Sequence, residues 1–306
     1  MSETPEVYAA KDLTDGGKVF SKLNPPARLA VFGDPVAHSA SPPMHNAALQ
    51  ASGRNLQYVR LRVTAEELPT ALRNLAPAGF LGASLTIPHK QAALPLMVEV
   101  SREARLMGAI NTVAVRDGKL HGFNTDGPGF VAAFYEEFST GLRDKNILIL
   151  GGAGGAGRAI AVQCLAEGGI PMIANRNKSK GDLLKALIDR EWDDYAGILK
   201  SIDMSQETLA YAVKSSEVII NATPLGMKAD DPSPLPDGLL TADHIIYDTV
   251  YSGGETALLR QARKAGAHCV GGFSMLLHQG ALQNTLWFGE SAPLDMMRKA
   301  LQGSAS

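Results

Sequence analysis

The chain is short of several features that would announce a function at once. It has two cysteines among 306 residues, Cys164 and Cys269, and neither sits in a CxxC pair, so no zinc site or disulfide framework is suggested. They allow one long-range disulfide; two buried free thiols are the simpler expectation. The seven histidines include no HExxH and no tight cluster, so no metal site is expected. Neither sign of charge is in excess, since 29 Lys and Arg face 31 Asp and Glu for a formal net charge of −2. That balance gives no electrostatic reason to expect nucleic acid or an anionic membrane as partner. No apolar run approaches the length of a membrane span. The opening "MSETPEVYAAKDLTDGGK" lacks the basic-then-apolar order of a secretory signal. No internal repeat or low-complexity segment occurs. A cytoplasmic, soluble protein is the expectation.

What is present suits two domains. With 45% hydrophobic residues over 306 positions, the chain can fill two cores of about 150 residues each. Residues 1–27 read as a polar, glycine-containing extension closed by "NPPAR". "RLAVFG" then reads as a strand, and Pro42-Pro43 opens a helix with Gly53 at its C-cap. "LQYVRLRV" alternates as a half-buried strand, "AEELPTALRNL" is helical and "GFLGASLTI" is a further strand. "KQAALPLM" and "SREARLMG" read as helical stretches. Asp117-Gly118 marks a hairpin within "INTVAVRDGKLHGFN". From about residue 145 the style changes. Apolar strands such as "NILIL", "SEVIINAT" and "HIIYDTVY" alternate with helices, which implies parallel βαβ units.

Gly152, Gly154 and Gly157 form G-x-G-x-x-G between "NILIL" and an alanine-rich helix. A plain βα turn could carry glycines too, but strand before and helix after is the context of a dinucleotide site. There the first glycine permits the tight turn, the second lets a pyrophosphate approach the backbone, and the third allows close helix–strand packing. An NAD site usually offers an acid about 20 residues on, for the ribose 2′-OH. Here stand Asn175, Arg176, Lys178 and Lys180, with no carboxylate before Asp182. Cations suit a 2′-phosphate, so NADP is expected ahead of NAD; a solvated basic helix start is the ordinary alternative.

The first half places polar residues at element ends. Ser39 and Ser41 precede a proline-started helix, where hydroxyls ordinarily cap. Thr86 and Lys90 lie in "SLTIPHK", Asn111 in "GAINTVAV", and Asn124, Thr125 and Asp126 just before a helix, where Asp126 alone would read as an N-cap. His89 and His278 are expected in packing or surface roles.

Taken in order, "VFGDPVAHSASPPMHN", "SLTIPHK", "GAINTV", "GFNTDGPGF", "GGAGGAGRA", "NRNKSK", "NATPLGM", "YDTVY" and "GGFSMLLHQGA" resemble the shikimate dehydrogenase family from about residue 29 to 290. The resemblance implies an α/β protein with a mixed-sheet N-terminal catalytic domain and a Rossmann-type NADP-binding domain, the active site in the cleft between them. The catalytic domain would span 28–130, completed by C-terminal helices at about 275–303, and the cofactor domain 131–274. The implied reaction is reduction of 3-dehydroshikimate to shikimate with NADPH, on the way to aromatic amino acids. Lys90 and Asp126 fall at the family's catalytic pair. Ser39, Ser41, Thr86, Asn111, Tyr251 and Gln279 fall at its substrate positions. Gly152, Ala153, Gly154, Gly155 and Ala156, then Asn175, Arg176 and Lys180, fall on its cofactor loops. Thr249 and Gly272 lie where its backbone approaches the nicotinamide.

These residue types suit the chemistry. Hydride transfer to a ketone creates an alkoxide that must be protonated as it forms, and an ammonium can both donate that proton and stabilise the growing charge. Small hydroxyls and amides can read the remaining polyol, rejecting analogues that leave buried groups unpaired. The match has departures. Ser84 stands where the family commonly has asparagine, Gly271 replaces a usual aspartate, and "NATPLGM" occurs in quinate-using relatives. Both serines of "SAS" lean toward shikimate. Quinate or aminoshikimate is the rival substrate, and a non-catalytic metabolite sensor on the same scaffold is the rival class.

Overall fold

Strands that are apolar without alternation belong in the middle of sheets, because a parallel strand covered on both faces has no polar side to present. The computed structural model, which describes residues 6–251 and 254–304, shows this in each of two units, Met1–Thr125 with Leu277–Ser306 and Asp126–Leu276.

In chain order the first unit holds β1 (Val7–Ala9), α1 (Lys18–Ser21), β2 (Ala27–Gly33), α2 (Ser41–Ala51), β3 (Gln57–Arg62), α3 (Leu68–Leu75) and β4 (Gly82–Leu85). Then follow α4 (His89–Ala92), β5 (Glu99–Val100), α5 (Arg102–Met107), β6 (Thr112–Arg116) and β7 (Lys119–Phe123). The seven strands form one mixed sheet in the order β1-β3-β2-β4-β6-β7-β5. β2, buried along nearly its whole length, pairs in parallel with both β3 and β4. β6 runs antiparallel to β4 and to β7. The β6–β7 link is the Asp117-Gly118 turn, with φ of 51° and 71°, the positive pair a two-residue hairpin turn demands. α3 buries Leu68, Ala71, Leu72 and Leu75, the spacing of one helical face. The strand expected over "GFLGASLTI" is regular only at Gly82–Leu85, since the chain must leave the sheet to reach Lys90.

Residues 1–27 read as an extension in the sequence, yet their described part is built into this unit. Val7–Ala9 extends the sheet as an edge strand parallel to β3. Leu13 and Phe20 are fully buried in its core, and Phe20 meets Tyr8 and Phe80 edge-on at ring centroids of 5.0 Å. A three-residue strand is too short to show periodicity among polar neighbours. Residues 1–5 lie outside the described residues.

The second unit begins with α6 (Asp126–Phe138) and runs through β8 (Asn146–Leu150), α7 (Gly155–Ala166), β9 (Ile170–Ala174), α8 (Lys178–Glu191), β10 (Lys200–Ile202) and α9 (Gln206–Lys214). It continues with β11 (Val218–Asn221), β12 (Ile245–Asp248), α10 (Ala257–Lys264), β13 (His268–Val270) and the start of α11 (Phe273–Phe288). From Leu277 the rest of α11 and then α12 (Leu294–Ser304) belong to the first unit. The six strands are all parallel, in the order β10-β9-β8-β11-β12-β13. Counted from β8 this is the 3-2-1-4-5-6 order of a dinucleotide-binding fold, with the chain reversing direction of build beside β8. The short strands β10 and β13 escaped the sequence reading.

Both cysteines are free; Cys164 is buried, whereas Cys269, expected to be buried too, is only partly so. Among the described residues no helix is long and apolar enough to cross a membrane, and no group of three or more His, Cys, Asp or Glu could hold a metal ion.

Candidate active site

In the first unit the candidate site residues lie just after β4, just before β6, at the start of α2 and within α11. β4 stops at Leu85, Thr86 follows, and Lys90 is the second residue of α4, half-buried. His89 anchors this corner. It is fully buried, its Nε2 lies 2.8 Å from the Val63 carbonyl, and burial holds its pKa below the usual histidine value. The Lys90 carbonyl accepts from the Ile110 N–H at 2.8 Å, and the Leu85 N–H donates to the Asn111 carbonyl at 2.7 Å. The backbones carrying Lys90 and Asn111 are therefore pinned together.

Asn111 is almost completely buried just before β6. Its Oδ1 accepts from the Thr125 N–H and the Thr112 hydroxyl, each at 2.8 Å, while its Nδ2 donates to Thr125 Oγ1 at 2.9 Å and Gln279 Oε1 at 3.3 Å. Asn124 donates to the Ala109 carbonyl at 2.9 Å. Ser39 and Ser41 do not cap α2 in the ordinary way. Its N-cap position is Ala40, without a side-chain bond, and Ser39 Oγ instead accepts from the Ser41 N–H at 3.3 Å. The Ser39 carbonyl takes two bonds from the Arg60 guanidinium, at 2.7 and 3.2 Å, so β3 fixes the loop. Ser84 faces α11. Its hydroxyl accepts from Tyr58 at 2.7 Å and donates to Gln283 Oε1 at 2.8 Å.

The second unit opens with Asp126, which is buried and is the first residue of α6 rather than its cap. At the glycine turn, Gly151 has φ +78° and its N–H donates to the Ala174 carbonyl at 2.8 Å. A Cβ on Gly152 would come within 2.3 Å of the Ile173 side chain, and one on Gly157 within 2.3 Å of the Gly151 carbonyl. These are the close packings the motif's glycines permit. Gly154 is exposed at the apex, and α7 starts at Gly155, with Ala156 next.

Ala153 N–H donates to Asn175 Oδ1 at 2.9 Å, while Asn175 Nδ2 is buried without a partner. An orphaned amide beside a helix N-terminus is what an anionic ligand would satisfy. Arg176 and Lys180 are exposed, and among the described residues neither forms an ion pair. Asp182, the one nearby acid, is occupied by Lys178 at 2.6 Å. The residues present fit a dinucleotide with a charged ribose.

At the far end of the sheet a Cβ on Gly272 would lie 2.2 Å from the Thr249 carbonyl, so these two backbones approach as closely as glycine allows. Tyr251 packs against Phe273 at 6.2 Å between centroids. The Thr249–Tyr251 loop hangs on Asp248, which sequence reasoning did not single out. Its carboxylate accepts from Asn221 Nδ2, the Val250 N–H and the Thr256 hydroxyl at 2.9, 3.1 and 2.6 Å, and burial raises its pKa. Gln283 and His45 were also missed. Two glutamines four residues apart on one helix, Gln279 and Gln283, were the available signal.

Two family models match, that of the shikimate dehydrogenase substrate binding domain over residues 31–113 and that of the shikimate 5′-dehydrogenase C-terminal domain over 272–302. A shikimate dehydrogenase (NADP(+)) of Symbiobacterium thermophilum is 41% identical over 276 residues, 89% of this chain and 92% of the relative. The chain belongs to the shikimate dehydrogenase family. Among solved members, the shikimate 5-dehydrogenase of Thermus thermophilus in complex with NADP(H) and shikimate is 36% identical with a TM-score of 0.79, covering 91% of this chain and 99% of that one. A quinate dehydrogenase of Corynebacterium glutamicum in complex with NAD is 30% identical with a TM-score of 0.80, covering 90% and 98%. The mixed sheet followed by a parallel six-stranded sheet is the architecture shared with these shikimate dehydrogenase relatives.

Proposed function

We propose that this oxidoreductase catalyses the reversible, NADPH-dependent reduction of 3-dehydroshikimate to shikimate. The observation that carries the reading is the corner at the end of β4, where a half-buried Lys90 is pinned through backbone bonds to the buried amide cluster of Asn111 and Gln279. Such a corner offers an ammonium for one oxygen and fixed amides for others.

NADPH, when bound, supplies the hydride to the substrate carbonyl carbon. The Lys90 ammonium then delivers a proton to the carbonyl oxygen as negative charge grows there, so that ketone, hydride and proton become the alcohol. Asp126 orients that ammonium and accepts a hydrogen bond from the same substrate hydroxyl; the two act as a pair, and the proton is not assigned to either alone in the reverse direction. Ser39, Ser41, Thr86, Asn111, Tyr251 and Gln279 bind the remaining hydroxyls and the carboxylate. The Gly152–Ala156 turn holds the pyrophosphate, with Asn175, Arg176 and Lys180 on the 2′-phosphate. Thr249 and Gly272 line the nicotinamide side. The substrate domain then corresponds to the first unit, Met1–Thr125 with Leu277–Ser306, and the cofactor domain to the second, Asp126–Leu276, in place of the 28–130 and 131–274 bounds expected from the sequence; the enzyme works in the cytoplasm as a monomer or homodimer.

Quinate is the second reading, favoured by the departure at Ser84 and by the quinate dehydrogenase relative. The deciding experiment compares kcat/KM for shikimate and quinate, each with NADP⁺ and NAD⁺. Shikimate with NADP⁺ is expected to be best, and Arg176→Ala to lower kcat/KM for NADP⁺ about tenfold or more while sparing NAD⁺. Quinate with NAD⁺ as the preferred pair would replace the proposal. Binding of both ligands without turnover would instead make the protein a sensor.

A further inference from the structure

The buried side of the substrate amides has a fixed polarity, and its origin can be traced. Two backbone groups set it, because neither can change role. The Thr125 N–H can only donate, so the atom of Asn111 that meets it at 2.8 Å is Oδ1, and Asn111 Nδ2 turns toward Gln279. The Asn111 carbonyl can only accept, so the atom of Gln283 facing it at 3.5 Å is Nε2. That places Gln283 Oε1 against the Ser84 hydroxyl at 2.8 Å and His45 Nε2 at 3.2 Å. Gln283 Nε2 also donates to Gln279 Oε1 at 2.9 Å.

Gln283 is 1% exposed and uses both lone pairs and both N–H groups. Its setting is rigid as well: the His45 ring is stacked on Tyr58 at 4.4 Å, and Tyr58 donates to the same Ser84 hydroxyl. Gln279 Oε1 therefore receives two N–H groups, from Gln283 and Asn111. With its oxygen filled, Gln279 can meet a ligand only as a donor.

We propose that Gln283 is a positioning residue that, held by Ser84 and His45, locks Gln279 with its amide nitrogen toward the substrate and so selects an acceptor oxygen there. The inference rests on the reading above that Gln279 binds substrate. It also gives Ser84 a role: its hydroxyl steers the specificity amide from behind, by way of Gln283.

The test uses steady-state kinetics of the full chain. Gln283→Glu keeps an oxygen for Ser84 and His45 but sets oxygen against oxygen at Gln279 when ionised; Gln283→Met removes the bonds without charge. Either should raise KM for shikimate about tenfold, with kcat within about threefold and KM for NADP⁺ unchanged. In a Gln279→Leu background the same change should raise KM by less than about twofold, because the step it acts through is gone. A purely structural role would lower Tm and multiply with Gln279→Leu, and that result overturns the inference. Native KM in the Gln283 variants overturns it too, while leaving the reading of Gln279 intact if Gln279→Leu alone raises KM. Native KM in Gln279→Leu removes both. If the Gln283 variants do not fold, Ser84→Ala, which deletes one hydroxyl, decides: about a threefold rise in KM supports the inference and no change overturns it.

Discussion

Lys90 is held by its backbone at the corner that follows β4. A Thr-Ile-Pro-His turn ends β4, buried His89 anchors the corner, and the Lys90 carbonyl is tied to Ile110. Under the proposed function Lys90 is the proton donor, and a proton donor acts mainly on the chemical step. Lys90→Ala should therefore lower kcat by about 10² to 10⁴ with KM for shikimate much less affected, measured by steady-state kinetics in the oxidation direction. A near-native kcat would take Lys90 out of the chemistry. Gln283 is the opposite kind of residue, invisible as a motif and important through four bonds. Its partners Ser84 and Gln279 stand 199 and 4 positions away, so only the short separation left a trace in the sequence.

At the scale of elements, legibility followed length and context. β8, the glycine turn and α7 were readable because strand, turn and helix are consecutive and each has its own pattern. The Asp117-Gly118 hairpin was readable for the same reason. β1 was not, since three residues carry no period and its partner β3 lies some fifty positions on. The consequence is energetic. Phe20, fully buried between Tyr8 and Phe80, should on replacement by Ala cost about 3–5 kcal/mol of unfolding free energy in a urea titration. A loss below about 1 kcal/mol would mean that residues before Ala27 do not contribute to the core.

For the whole molecule, the buried titratable groups set how stability responds to acid. Burial pushes the pKa of His45 down to about 3, against a hydrogen bond to Gln283 that works the other way. The unfolded chain therefore binds a proton that the folded chain refuses. His45 contributes stability that is present above about pH 6.5 and is lost as pH falls toward about 3, by up to ~1.4 kcal/mol per pH unit. His89, lowered in the same direction, adds to the loss. Asp248 opposes it: with its pKa raised by burial, its contribution is full below the ordinary aspartate range and fades as pH rises. The expected outcome is a Tm that falls between pH 6.5 and 4.5, and falls less steeply in His45→Gln. Identical slopes in parent and variant would refute the assignment to His45.

The sequence by itself determined the fold class, the two-part organisation, the dinucleotide turn with its basic partner loop, and the order of motifs that places the chain in its family. Each of these depends on residues close together along the chain, where period, turn chemistry and glycine spacing act. The tertiary structure alone decided that the first residues complete a sheet, that Asp248 carries the Thr249–Tyr251 loop, and which way the Asn111, Gln279 and Gln283 amides point. Those outcomes depend on bonds between residues brought together from distant segments. The direction of a buried amide is set by whichever fixed donor or acceptor the fold puts beside it.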